Sequence, residues 1–275
     1  MRLPEYVERL GLAGPVAPTI ETLRRLHHAH REAFLFENHT IQGGGAISLA
    51  VGDVERKFLD EQRGGYCFEH NTLFAAALRD IGLAPVTLLG RVRRGPPERW
   101  CRTHMVLQVR GARVHDAREH DAECWLADVG FGGLGLLEPI EWRDGATSIQ
   151  GGIEYTLRRD DRLWVLSTRD ANGASMDLYE FTDDPQTPWD VEVANHFTST
   201  HPESIFRRTL TIQKSTRHER VILRGDTLTM YRDGRPTERA VEPSRLAALA
   251  HELFGVTLPS TLLQNQPDSA AVARL

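Results

Sequence analysis

Arg63-Gly64-Gly65-Tyr66-Cys67-Phe68-Glu69-His70-Asn71 places a cysteine where a glycine-rich turn passes into an amphipathic helix. Leu73, Phe74, Ala77, Leu78 and Ile81 recur at helical spacing until Gly82 offers a stop, so the spacing predicts a helix that begins at or beside Cys67. Unpaired N–H groups and the positive end of the macrodipole in a first turn favour thiolate over thiol, which predicts Cys67 as a nucleophile of lowered pKa. Paired glycines allow a close approach that a side chain would block. The competing expectation is a small buried cysteine that simply begins a core helix.

A thiolate engaged in acyl chemistry needs a base, and the base needs a third group to accept its other N–H. Thr103-His104-Met105-Val106-Leu107-Gln108-Val109 reads as a strand with His104, Val106 and Gln108 on one face and Met105 and Leu107 on the other. Cys124-Trp125-Leu126-Ala127 is a second apolar run, ended by Asp128 and followed by Val129-Gly130-Phe131-Gly132-Gly133. Two neighbouring strands of this kind can present His104 and Asp128 to the start of the helix. His70, three residues after Cys67 and on the same predicted helix face, competes with His104 for the role of base; it lacks an evident orienting carboxylate, and His104 is preferred.

These three segments resemble the arylamine N-acetyltransferase family: Arg-Gly-Gly-Tyr-Cys-Phe-Glu around Cys67, Thr-His-Met around His104 and Asp-Val-Gly-Phe-Gly from Asp128. Phe36-Glu37-Asn38, Leu178-Tyr179-Glu180-Phe181 with Pro185 and Asp190, and Asn195 with Ser199-Thr200, Pro202, Ser204 and Phe206 extend the likeness over nearly the whole chain. The resemblance implies a Cys67-His104-Asp128 triad that takes acetyl from acetyl-CoA and passes it, by a ping-pong route through an acetyl-cysteine, to an arylamine, arylhydrazine or related amine. It also implies an α+β fold with a papain-like catalytic core: a helical bundle over residues 1–85, a β-barrel-like domain over 86–195 and an α/β lid over 196–275. Amide closure of a macrolactam by the same triad is the alternative within enzymes.

Several residues depart from the family pattern. Phe34-Leu35-Phe36 leads into Glu37-Asn38-His39 where the family's stretch before Glu-Asn commonly carries a proline, which bears on the acceptor pocket. Gly111 to Glu123, containing His115, Asp116, His120 and Asp121, reads as a solvated hairpin extension rather than a metal site. Gly130 to Gly135 spells GxGxxG, yet Leu136-Leu137-Glu138-Pro139 opens no helix, which argues against a dinucleotide turn. Gly130, Phe131, Gly132 and Gly133 instead give backbone room for the CoA diphosphate or a tight strand exit. Phe36, Phe131 and Phe206 are the aromatic candidates for the acceptor wall, with core packing as the competing role. Cys67/His70 and Cys101/His104 form two C-x-x-H pairs, the basis of a less favoured Cys₂His₂ zinc reading; no metal is expected.

The rest of the chain bounds these readings. With 275 residues and a net charge of −5, the protein is large enough for more than one compact unit and is not expected to bind nucleic acid. Three cysteines with no scaffold spacing suggest free thiols in a reducing compartment. Met1 to Leu12 is charged and lacks an apolar centre, and no apolar run reaches spanning length, so a cytoplasmic protein without membrane contact is expected, as monomer or homo-oligomer. Helices are predicted from Thr19 to Phe34 and from a cap at Asp53 toward Gln62. Strands are predicted at 86–89, 105–109, 124–129, 154–158, 162–167, 220–223 and 227–231, with a last helix at 244–254.

Overall fold

The computed structural model describes residues 1–111, 124–259 and Leu262; the expectations for the polar stretch from 112 to 123 and for the tail after Gln264 lie outside them. Helices α1 (Leu3–Arg9), α2 (Ile20–Ala33), α3 (His39–Gln42), α4 (Val51–Glu55) and α5 (Cys67–Asp80) form the N-terminal part of the chain. Thr19 starts α2 by leaving the helical conformation and accepting from the Thr22 N–H (3.2 Å), which satisfies one orphan donor of the first turn. Leu23, Leu26, His27 and His30 then follow at helical spacing and are buried. Asp53 is not a cap: Ala50 precedes the first turn of α4, and Asp53 lies within that turn, accepting from Ser48 (2.7 Å). From Arg56 to Asp60 the helix widens into a π-turn.

The strands among the described residues are β1 (Phe36–Glu37), β2 (Ala84–Val92), β3 (Arg102–Arg110), β4 (Cys124–Ala127), β5 (Ile140–Glu141), β6 (Ala146–Gln150), β7 (Ile153–Asp160), β8 (Leu163–Arg169), β9 (Ser175–Phe181), β10 (Thr211–Ser215), β11 (Glu219–Arg224), β12 (Thr227–Arg232) and β13 (Arg235–Ala240). Eight of them form one antiparallel sheet in the order β5-β4-β3-β2-β9-β8-β7-β6. Its edge strands β5 and β6 lie against each other, so the sheet curls into a nearly closed barrel. The other five form a sheet in the order β1-β10-β11-β12-β13, so Phe36 and Glu37, early in the chain, supply an edge of the C-terminal sheet. Helices α6 (Pro188–Thr200), α7 (Ile205–Arg208) and α8 (Leu246–Phe254) follow among the described residues; α6 carries the chain past residue 195. Among the described residues, no helix is long and apolar enough to cross a membrane.

Strand β3 is the structural divide. Its alternation sends Met105, Leu107 and Val109 into the core shared with α2 and α5, while Val106 joins the barrel core with Leu88, Leu126 and Leu166. Both faces of the strand are therefore dry, and His104 and Gln108 are buried on it. The start of α5 abuts this strand and the residues that follow β4.

Candidate active site

Cys67 is the first residue of α5, after Tyr66 in an extended conformation. Glu69 reaches back to accept from the Tyr66 N–H (3.1 Å), half of a capping box that fixes the helix start. The glycines serve the same turn: a Cβ on Gly64 would fall 1.7 Å from the Leu35 carbonyl oxygen, a distance no side chain tolerates. Cys67 is 3% exposed. Its Sγ lies 3.7 Å from the Thr103 carbonyl and takes a hydrogen bond from the Met105 N–H, so the two backbone groups flanking His104 bracket the sulfur.

His104 donates through Nε2 to Asp128 Oδ2 (2.7 Å). That leaves Nδ1 as the ring nitrogen for proton exchange. Asp128 Oδ1 accepts from Asn71 Nδ2 (3.0 Å) and from the Gly130 N–H (2.9 Å). Asn71 is one helical turn after Cys67. It donates again to the Met105 carbonyl (2.7 Å) and accepts from the Val129 N–H (3.2 Å), joining the nucleophile's helix to both other segments. From the opposite side, His27 Nε2 accepts the Asp128 N–H (3.1 Å) while its Nδ1 donates to the Leu137 carbonyl (2.9 Å). Neither Asn71 nor His27 is a site candidate from the sequence, where His27 marks only the spacing of a helix; the i, i+4 spacing of Cys67 and Asn71 is the one local signal for either role. Asn71→Ala leaves the Val129 N–H and the Met105 carbonyl without a buried partner, and a loss of about 2–4 kcal/mol is expected in denaturant unfolding; a loss under about 1 kcal/mol would show that these bonds are replaceable.

Burial opposes ionisation of Asp128, but facing His104, Asn71 and the Gly130 N–H outweigh it and hold the carboxyl at about 2. The thiol behaves in the opposite sense from the sequence expectation. Burial pushes Cys67 up, and the N–H groups of Met105 and Phe68 only partly offset it, with Asp128 adding to the rise. Desolvation over the whole side chain outweighs the field of one helix terminus. The anion is therefore favoured only as the proton passes to a neighbouring base.

His70 does not face the sulfur. Its Nδ1 meets His30 Nε2 (2.8 Å) and its Nε2 the Leu35 carbonyl (3.1 Å), with Phe36 and Phe58 against the ring. Burial, with Arg31 adding, lowers it to about 3. Both nitrogens are thus committed away from Cys67, which corrects the expectation of a competing base. The C-x-x-H pairs do not converge either: Cys101 is exposed, Cys67 is buried, and His104 Nε2 is held by Asp128.

The glycine run is held by the protein itself. Arg31 donates to the carbonyls of Val129 and Gly132 (both 3.3 Å), and Arg220 to those of Gly133 (2.8 Å) and Gly135 (2.6 Å). The N–H groups of Gly130 and Gly133 go to Asp128 and Gln213. They are not available to a diphosphate, a correction at those two positions that leaves Phe131 and Gly132. Gly130 is needed for closeness, since a Cβ there would lie 2.9 Å from the Cys67 Cα. Phe131 is half-buried and edge-on to His104 (5.0 Å). Phe36 and Phe206 pack together (6.0 Å), with Phe206 also against Tyr66 (5.4 Å); Phe36 is otherwise part of the core.

The N-acetyltransferase family matches residues 19–263. An arylamine N-acetyltransferase of Mycolicibacterium smegmatis is 36% identical over 240 residues, which are 85% of this chain and 84% of that protein. The crystal structure of Nocardia farcinica arylamine N-acetyltransferase is similar with a TM-score of 0.85 at 36% identity, covering 96% of this chain and 92% of its own. Mycobacterium marinum arylamine N-acetyltransferase in complex with CoA gives 0.86 at 28% identity, covering 96% and 100%.

Proposed function

Because the chain belongs to the arylamine N-acetyltransferase family and acetylates arylamines, we propose that it does so through an acetyl thioester on Cys67, with acetyl-CoA as donor, His104 as acid and base, and Asp128 as the group that orients and charges the imidazole. The observation that carries this reading is the placement of Sγ between the Thr103 carbonyl and the Met105 N–H, beside a histidine whose far nitrogen is bound to Asp128 at 2.7 Å.

In the first half-reaction the Cys67 proton moves to His104 Nδ1 as sulfur attacks the acetyl carbonyl carbon. Negative charge collects on the carbonyl oxygen, near the N–H groups at the start of α5. The bond to the CoA sulfur then breaks, and His104 returns the proton to the leaving thiolate. In the second, the amine attacks the thioester, His104 takes the amine proton, and Cys67 leaves and is reprotonated. An arylamine keeps a free lone pair near neutral pH, whereas an alkylamine of lysine type is mostly protonated, so the former suits a site with a single base. Phe131 walls the reacting centre, and Phe36 with Phe206 forms the acceptor side. Free cysteines at 67, 101 and 124 suit a reducing cytoplasm.

Incubation with acetyl-CoA, followed by intact-mass analysis, should show one added acetyl group that maps to Cys67 and disappears when an arylamine is added. No adduct, or an adduct elsewhere, rejects the reading.

A further inference from the structure

Three buried side chains that the transfer chemistry does not use form one hydrogen-bonded chain through the helical bundle. Tyr6 Oη lies 2.7 Å from His30 Nδ1, His30 Nε2 lies 2.8 Å from His70 Nδ1, and His70 Nε2 lies 3.1 Å from the Leu35 carbonyl oxygen. A carbonyl can only accept, so His70 carries its proton on Nε2. Its Nδ1 is then an acceptor, which puts the His30 proton on Nε2 and makes Tyr6 the donor to His30 Nδ1. Burial holds both rings below their ordinary range, so each is neutral, and the one terminal oxygen then dictates both tautomers.

The end of this chain acts on a segment that cannot drift. The Leu35 carbonyl also accepts from the Gly65 N–H (3.3 Å), and Gly64 passes so close that it can carry no side chain. The next residue, Phe36, lies nearly parallel to the His70 ring, with centroids 6.1 Å apart and planes 9° from parallel. A Cβ on Gly132 would fall 3.1 Å from the Phe36 ring. We propose that His70 is a positioning residue for the acceptor: by donating to the Leu35 carbonyl and lying against Phe36, it sets the aromatic wall on which an arylamine ring rests. This rests on the reading of Phe36 as part of the acceptor side.

The test compares the full-length protein with His70→Leu in the two half-reactions. Acetylation of Cys67 by acetyl-CoA should stay within about threefold of the parent, whereas KM for a bulky arylamine should rise about tenfold with kcat little changed. Hydrazine, too small to rest on Phe36, should keep its KM. His70→Gln, which restores an N–H able to reach the Leu35 carbonyl, should fall between. If His70→Leu does not fold, His70→Gln carries the comparison alone, with the arylamine KM raised by a smaller factor and the hydrazine KM unchanged. Long-range 15N spectra of the parent should show both His30 and His70 as neutral Nε2–H tautomers. Equal changes for arylamine and hydrazine, an unchanged arylamine KM, or a titrating His70 overturns the proposal. A parent that forms no acetyl-Cys67 counts instead against the catalytic reading.

Discussion

Asp128→Asn is expected to slow acetylation of Cys67 by about four orders of magnitude while leaving the fold intact. The reason lies in the donors that surround the carboxylate. Oδ1 receives hydrogen bonds from Asn71 Nδ2 and the Gly130 N–H, and Oδ2 receives one from His104 Nε2. An asparagine must turn its single oxygen toward the two fixed donors, which leaves its NH₂ facing His104 Nε2. That nitrogen then has to be the acceptor, so the ring proton moves to Nδ1, the position that must be empty to receive the proton of Cys67. The charge that stabilises the imidazolium is lost as well. Single-turnover acetylation by acetyl-CoA, read by intact mass, measures the effect. A rate within about tenfold of the parent would show that Asp128 neither selects the tautomer nor supports the charge.

What could be read from the sequence, and what could not, follows from the range of each interaction. The start of α5 and the two faces of β3 are periodic features, and Cys67, Met105, Val106 and Leu107 fall where the spacing puts them. Strand β1 is two residues long and exists because β10 pairs with it, so nothing within Phe36-Glu37 announces it. Helix α6 turns Trp189 and Val193 to solvent, which removes the apolar periodicity by which a helix is recognised. The helix terminus at Cys67 is a local property of the chain and readable from it, whereas burial of the thiol is decided by β3 and the segment after β4. His70 fails as a base for the same reason: a spacing of three residues gives a direction on the helix, but the partners in that direction are His30, Leu35 and Phe36 from elsewhere in the chain.

Buried neutral histidines should make this protein sharply acid-labile. Burial lowers His27 to about 3 and His70 to about 3, and it holds His30 well below its ordinary 6.5. His30 is enclosed by Tyr6, Phe34, Phe58, Phe74 and His70; the charged groups acting on the three rings include Arg31, which opposes protonation, and Asp128, which favours it at His27. In the unfolded chain each ring binds a proton near pH 6.5, whereas in the folded chain it does not until far lower. The unfolded state therefore holds the extra protons, and stability present above pH 6.5 is lost as pH falls from there toward 3. Three such groups give a slope of about 4 kcal/mol per pH unit near pH 5, and about 5 kcal/mol is lost between pH 6.5 and 5. That is comparable to the whole stability of many domains, roughly 5–15 kcal/mol. His39, also lowered chiefly by burial, acts in the same direction, while Glu69, raised chiefly by burial, opposes it. Asp128 and Glu37 add their own loss only at lower pH, where ordinary carboxylates protonate. Urea unfolding at fixed ionic strength between pH 7 and 5 should show this slope, and His27→Gln should reduce it by about 1.4 kcal/mol per pH unit even though the variant is less stable at pH 7. A parent stability that is flat across that range would mean that the three rings are protonated in the folded protein, and the tautomers assigned to His27, His30 and His70 would then be wrong.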